Sequence, residues 1–192
     1  MVDTKIFFED KLTALILIDL QRGVVVQETK PHTASDVVAN SAKLVQAFRK
    51  AGLPVVFVHV LIGDREDILK PLLDKPAQLP PLTPDFTEFV PELGVTERDI
   101  VVTKRNPSAF YGTDLDLQLR RRNIVRIAIG GISTSVGVEA TARNAYDRNY
   151  KLLFVEDAMT AQHVEEHDRA VKYVLPCMGI VRSTAEVLAA LG

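Results

Sequence analysis

The sequence predicts an α/β fold in which a parallel sheet is covered by helices on both faces. Three observations point there. First, short apolar runs rich in β-branched residues recur along the chain, the clearest being TALILIDL (Thr13–Leu20) and VVFVHV (Val55–Val60). They do not alternate polar with apolar, which suits strands buried on both faces. Second, the segments between them place apolar residues at three- and four-residue spacing, the mark of a helix with one buried side. Third, the two kinds of segment alternate, which implies right-handed crossovers between parallel strands. At 192 residues the chain is long enough for one well-buried domain and short for two, so residues 1–192 are read as a single domain.

Composition narrows the function. Hydrophobic residues at 47% and charged residues at 25% are the averages of a soluble globular protein. A net charge of −2 offers no broad basic field, so neither a nucleic-acid nor an anionic-membrane partner is expected. The one dense basic run, Arg120–Arg122, reads as the solvated C-terminal end of a helix. No apolar run approaches the ~20 residues a membrane span needs. Met1–Asp10 is charged and mixed, so no secretory signal is expected. The single cysteine, Cys177, cannot form an internal disulfide, which fits a reducing cytoplasm. Cys177 itself is expected to be buried among apolar residues near a helix end, with a packing role. No internal repeat or low-complexity tract occurs.

Taken in order, Lys5–Leu12 is a polar lead-in to the first strand, Thr13–Leu20, which ends on Asp19 followed by Gln21. In open parallel sheets ligands gather at the carboxyl ends of strands. A carboxylate there costs desolvation energy unless it has a partner, so Asp19 is a candidate for chemistry. Ala34–Ala51 is a helix that Ser35 or Asp36 could cap, with Val37, Val38, Leu44, Val45 and Phe48 on its apolar side and Gly52 as its stop. In the second strand, Val55–Val60, His59 reads as a satisfied core histidine, because no second ligand follows at a metal spacing. Residues 61–96 carry most of the prolines and form an excursion from which Phe86 and Phe89 are placed to reach the site, a neighbouring subunit or their own core. The third strand, Asp99–Thr103, ends at Lys104, and a lysine beside a carboxylate at a desolvated site can share a proton with it. Thr113 reads as the cap of a short helix running to Arg120–Arg122.

The central stretch runs from Val125 to Tyr150. Val125–Ile129 is a buried strand, and Gly130 and Gly131 form a glycine-rich turn. Ser133, Thr134 and Ser135 offer hydroxyl caps to a helix whose buried side is Val138, Thr141, Ala142, Ala145 and Tyr146. A strand, a turn and a helix N-terminus can present backbone N–H groups to a ligand. Lys151–Val155 is a fifth strand followed by Glu156 and Asp157. His163–Leu175 is a helix, Gly179–Val181 a short sixth strand and Thr184–Leu191 a closing helix. His163 and His167 are one turn apart, a spacing that can hold a metal, but no third ligand is evident, and no metal or other cofactor is expected.

Three motifs, LILIDLQRG (Leu15–Gly23), TKRNPSAFYGTDL (Thr103–Leu115) and GISTSVGVEATARNAYDRNYKLLFVEDAMTA, resemble the isochorismatase-like hydrolase superfamily in the family's order over nearly the whole chain. The resemblance implies a three-layer αβα, Rossmann-like sheet of six parallel strands in the order 3-2-1-4-5-6, with the switch point between the strands that end at Asp19 and Gly130. It implies Asp19 and Lys104 as catalytic residues, their charges meeting within about one water at the ends of neighbouring strands and beside Gly137. Gln21, Ser108, Phe110, Tyr111, Ile132, Ser133, Thr134 and Val136 would contact the substrate. It also implies a non-proline cis peptide at Ile132–Ser133. The expected partners are a small-molecule substrate and further copies of the chain, as a dimer or tetramer.

The chain departs from the family's cysteine amidase branch at Gly137, which stands where that branch has its nucleophile. The Asp-x-His metal motif of the nicotinamidases is absent as well. True isochorismatases, by contrast, hydrolyse a vinyl ether and carry glycine at this position. By that resemblance Asp19 is the general acid, Lys104 orients it and offsets substrate charge, and Gly137 leaves room for the substrate. The glutamine expected after the second strand in those enzymes is replaced by Leu61, Ile62 and Gly63, with Arg65 able to contact a carboxylate, so the substrate stays open. The alternative is a ligand-binding or structural homologue that lost catalysis with the cysteine. A nucleotide-binding domain is disfavoured, because no GxGxxG or P-loop follows the first strand.

Overall fold

Six strands form the sheet, buried at its centre and partly exposed at its edges. They are β1 (Thr13–Ile18), β2 (Val55–Val60), β3 (Ile100–Lys104), β4 (Arg126–Ile132), β5 (Lys151–Thr160) and β6 (Gly179–Arg182). The computed structural model describes residues 3–62, 69, 71–74 and 82–192. All neighbouring strands pair in parallel, in the order β3-β2-β1-β4-β5-β6. The chain therefore starts at the centre, builds outward through β2 and β3, and crosses back to begin the other half at β4. The carboxyl ends of β1 and β4 flank the point where the direction of winding reverses, the crevice where such sheets bind ligands.

Alternate residues of each strand feed two cores. Ile16, Ile18, Val56, Val58, Ile127 and Ile129 face a layer made by α3 (Leu115–Arg120), α4 (Glu139–Asp147) and the turns that follow α5 (Val164–Arg169), through Ala170 and Leu175. Leu15, Leu17, Val55, Phe57, Ala128 and Leu153 face α2 (Ala34–Lys50) and α6 (Thr184–Leu191). A single-turn helix, α1 (Arg22–Val25), follows β1. Among the described residues no helix is long and apolar enough to cross a membrane.

Several local readings are corrected. The lead-in is not merely polar: Thr4–Phe7 forms a 3-10 turn whose Phe7 is buried, and the Phe7 carbonyl accepts from the Thr13 hydroxyl. The cap of α2 is Thr33, whose Oγ1 accepts from the Asp36 N–H at 3.1 Å while Asp36 returns a carboxylate. Asp114 and not Thr113 precedes α3, although Thr113 Oγ1 still accepts from Leu115 N. Gly130 and Gly131 lie inside β4 and not in a turn. A Cβ on Gly130 would stand 2.9 Å from the Ala158 carbonyl oxygen, and one on Gly131, at φ +127°, would overlap the Ile18 backbone. Close strand packing, with a register shift between Ile129 and Gly131, needs glycine there. β5 runs on through Glu156 and Asp157 to Thr160, and the helix expected over His163–Leu175 divides into α5, a π turn (Ala170–Val174) and a 3-10 turn (Leu175–Cys177). Tyr146 is exposed, off the buried side of α4. Cys177 is exposed too, its thiol turned to the Tyr173 carbonyl.

Candidate active site

β1 delivers Asp19 to the sheet's carboxyl edge in a left-handed backbone conformation (φ +54°), with its N–H donating to the Val58 carbonyl at 2.8 Å. Aspartate tolerates that region better than most residues, and such backbone strain is often stored at functional sites. The side chain is buried, and its Oδ2 meets Lys104 Nζ directly at 2.8 Å, Lys104 being buried as well. The strands that carry the pair are not neighbours: β2 lies between β1 and β3, and Lys104, in register with Val60, extends past the end of β2. Asp19 Oδ1 is also buried, with no hydrogen-bond partner among the described residues. Burial pushes the Asp19 carboxyl up to about 6, against the opposing pull of the Lys104 ammonium.

The peptide Ile132–Ser133 is cis, as the motif implied. Ser133 opens a π turn, Thr134–Val138, that leads into α4. None of the three hydroxyls caps the helix. Ser133 and Ser135 face each other at 3.3 Å, Ser135 reaches Glu166, and Thr134 turns away to His167 Nδ1 at 2.9 Å. The turn aims Gly137 at Asp19. A Cβ there would sit 3.4 Å from Asp19 Oδ2 but only 2.9 Å from Cγ2 of the fully buried Ile18. The place of a side chain at 137 is thus partly closed by a β1 methyl group.

A cavity of ≈ 280 Å³ opens over this point, with Asp19, Lys104, Ile132, Ser133, Val136 and Gly137 in its wall. Val24, Val60, Ile62 and Phe86 supply apolar surface, so Phe86 does reach the site. Other residues expected there do not line the cavity. Gln21 is fully buried and committed to structure: its amide nitrogen donates to the Val60 and Phe86 carbonyls and its Oε1 accepts from Val60 N at 2.7 Å. Phe110 packs on Tyr150 in the core, Ser108 Oγ accepts from Phe110 N, and Tyr111 is exposed. Polar wall residues that the motifs did not reveal are Gln27, Thr29, Gln162 and Glu166. Gln27 and Gln162 bond each other at 2.7 Å, and their loops are joined by a two-hydrogen-bond bridge between Lys30 and Ala161. No periodicity or spacing marks such pairs. Arg65 lies outside the described residues.

His59 is satisfied as expected, Nδ1 donating to the Thr87 carbonyl and Nε2 facing Thr103 Oγ1. It also stacks on Phe89, which fixes that residue on the core and away from the cavity. Glu156 lies beside His32 and His167, whose hydrogen bonds, His167's foremost, hold its carboxyl down at about 2.

A buried acid–lysine pair beside a helix-opening turn lies at the switch point of a 3-2-1-4-5-6 sheet, the crevice where α/β folds of this kind bind small ligands. The isochorismatase domain model matches residues 13–186. The chain is 46% identical to the isochorismatase family protein YwoC of Bacillus subtilis (strain 168), over 92% of each chain. It superimposes on the solved structure of an isochorismatase family protein from Burkholderia thailandensis with a TM-score of 0.90 and 45% identity, covering 95% of this chain and 96% of that one. It is 30% identical to the ureidoacrylate amidohydrolase RutB of Acinetobacter baylyi, over 90% of this chain and 80% of the relative. The chain belongs to the isochorismatase family and is a hydrolase of that family acting on small molecules.

Proposed function

We propose that this chain hydrolyses a vinyl-ether-type bond in a small molecule by acid catalysis from Asp19, with Lys104 holding the acid and no covalent intermediate. The observation that carries this is the Asp19 carboxyl itself: buried, so that desolvation pushes its pKa up to about 6, with Oδ1 unpartnered among the described residues and beside a glycine. A carboxyl poised near the working pH is suited to give a proton and take one back. Asp19 donates its proton to the terminal carbon of the enol ether, leaving an oxocarbenium ion. Water adds to that ion, and the Asp19 carboxylate takes the proton the water releases. The hemiketal then collapses to a carbonyl compound and an alcohol. Lys104 keeps the carboxylate form from becoming too costly in a buried site. Among the described wall residues it is also the only cation, which suits it to meet a substrate carboxylate.

Thiol-based amide hydrolysis has little support. Position 137 is glycine, and Cys177, the one cysteine in the chain, is exposed and outside the cavity wall. The test is a screen of vinyl ethers, amides and small esters against the wild type and Asp19→Asn. Vinyl-ether turnover should fall by at least ~100-fold in the variant, the usual contribution of a positioned acid. Amide turnover that survives Asp19→Asn would overturn the proposal, and saturable binding with no turnover of any class would favour the lapsed, ligand-binding homologue.

A further inference from the structure

Behind the catalytic turn lies a second cluster that the reaction above does not use. His32 sits in the loop before α2, Glu156 on β5 and His167 on α5. Nε2 of His32 is 2.7 Å, and Nε2 of His167 3.2 Å, from the same Glu156 oxygen, Oε1. All three ligand-type atoms lie within 4.8 Å of one another, and the two rings meet edge to face. The sequence offered His167 only one metal-binding neighbour, His163 one turn earlier. In the structure His163 is the N-cap of α5 and takes no part, while the other two donors come from distant elements.

We infer that His32, Glu156 and His167 form a binding site for one divalent ion of the zinc type, with the two Nε2 atoms and one carboxylate oxygen as ligands and a fourth position left to water. Two imidazoles with one carboxylate suit zinc and its first-row neighbours; calcium and magnesium prefer all-oxygen shells. Tetrahedral bonds of about 2.0–2.2 Å set ligand atoms roughly 3.3 Å apart. The His167–Glu156 distance of 3.2 Å already meets that, and the 2.7 Å contact from His32 needs to open by about half an ångström. His32 is the member able to move, being on a loop and part-exposed, whereas His167 is buried. Exposure of His32 and Glu156 also gives an ion a route from solvent.

The outer partner is present as well. Thr134 Oγ1, fully buried, bonds His167 Nδ1 at 2.9 Å. A hydroxyl can donate or accept, so the ring can carry its proton on Nε2 without metal and on Nδ1 once a metal takes Nε2. Thr134 also begins the π turn that holds Gly137, so an ion fixed on His167 would stiffen the turn facing Asp19.

The test uses the untagged full chain, stripped with a chelator and carrying Cys177→Ser so that the exposed thiol offers no competing ligand. Zinc is titrated calorimetrically, and cobalt(II) is followed by visible absorption, which reports coordination geometry. One ion per chain, cobalt bands of tetrahedral intensity and a melting temperature that climbs with zinc are expected. His32→Ala and Glu156→Gln should each weaken binding by at least ~100-fold and Thr134→Val by ~10–100-fold, while His163→Ala binds as its parent. Circular dichroism of the zinc-free variants separates a lost site from a lost fold. Binding well below one ion per chain, or binding that survives both His32→Ala and Glu156→Gln in folded protein, overturns the assignment and leaves the three residues a hydrogen-bonded network.

Discussion

Asp19 should titrate near pH 6 in the folded chain. Relative to an ordinary aspartate at 3.8, that rise makes its ionised form about 3 kcal/mol harder to form, at ~1.4 kcal/mol per tenfold change in proton affinity. The sign follows from proton counting. Between pH 3.8 and about 6 the folded chain keeps a proton on Asp19 that the unfolded chain has released, so Asp19's contribution to stability falls as pH rises through that window. The assay is carboxyl-carbon NMR of 13C-labelled aspartate across pH 3–9, with the Asp19 resonance assigned by its loss in Asp19→Asn. Lys104→Met removes the ion pair that Asp19 makes at 2.8 Å, so the midpoint should climb above 6. If Asp19 is the acid, turnover should fall about tenfold per pH unit above 6, since only the protonated fraction works. A midpoint near 4 in the wild type, or a downward move in Lys104→Met, would refute the account of the site.

Two glycine substitutions test the packing around the acid. Gly137→Cys, made with Cys177→Ser, forces the Ile18 methyl to give way and should cost ~1–3 kcal/mol in urea denaturation. Its thiol, beside Asp19 and its partner Lys104 ahead of α4, should alkylate faster than the exposed Cys177 of the parent, followed by mass spectrometry, and native turnover should vanish as the site is crowded. A position-137 thiol slower than Cys177 would contradict the placement of the pocket. Gly131→Ala combines φ +127° with overlap on the Ile18 backbone and should lose at least ~3 kcal/mol; a loss under 1 kcal/mol would show that β1 and β4 can separate there.

Residue order alone carried much of the fold. β2 and α6 begin and end where apolar periodicity placed them, because a run buried on both faces and a helix with one apolar side each leave a local signature. Asp19 and Lys104 were legible as candidates for a similar reason: charges at the ends of apolar strands are conspicuous. Their direct contact past β2 was not, since sequence position does not say how far a lysine can reach across an intervening strand. Gln21 misled because its motif position says nothing about which way its amide turns, and it turns to the Val60 backbone.

What the sequence by itself determined is the sheet, its two helical layers, the family and the absence of a side chain at position 137. What only the tertiary structure decided is which groups share space. Gly130 and Gly131 read as a turn until the approach of Ile18 and Ala158 showed that they keep β4 close to its neighbours. His167 pairs with His32 and Glu156 and not with His163, because one helix offers it a single neighbour, while β5 carries Glu156 and the loop beyond β1, bridged at Lys30 to Ala161, brings up His32. The proton affinity of Asp19 belongs to this second class too. It depends on how much water is excluded and how near one ammonium comes, and neither quantity exists until the chain is folded.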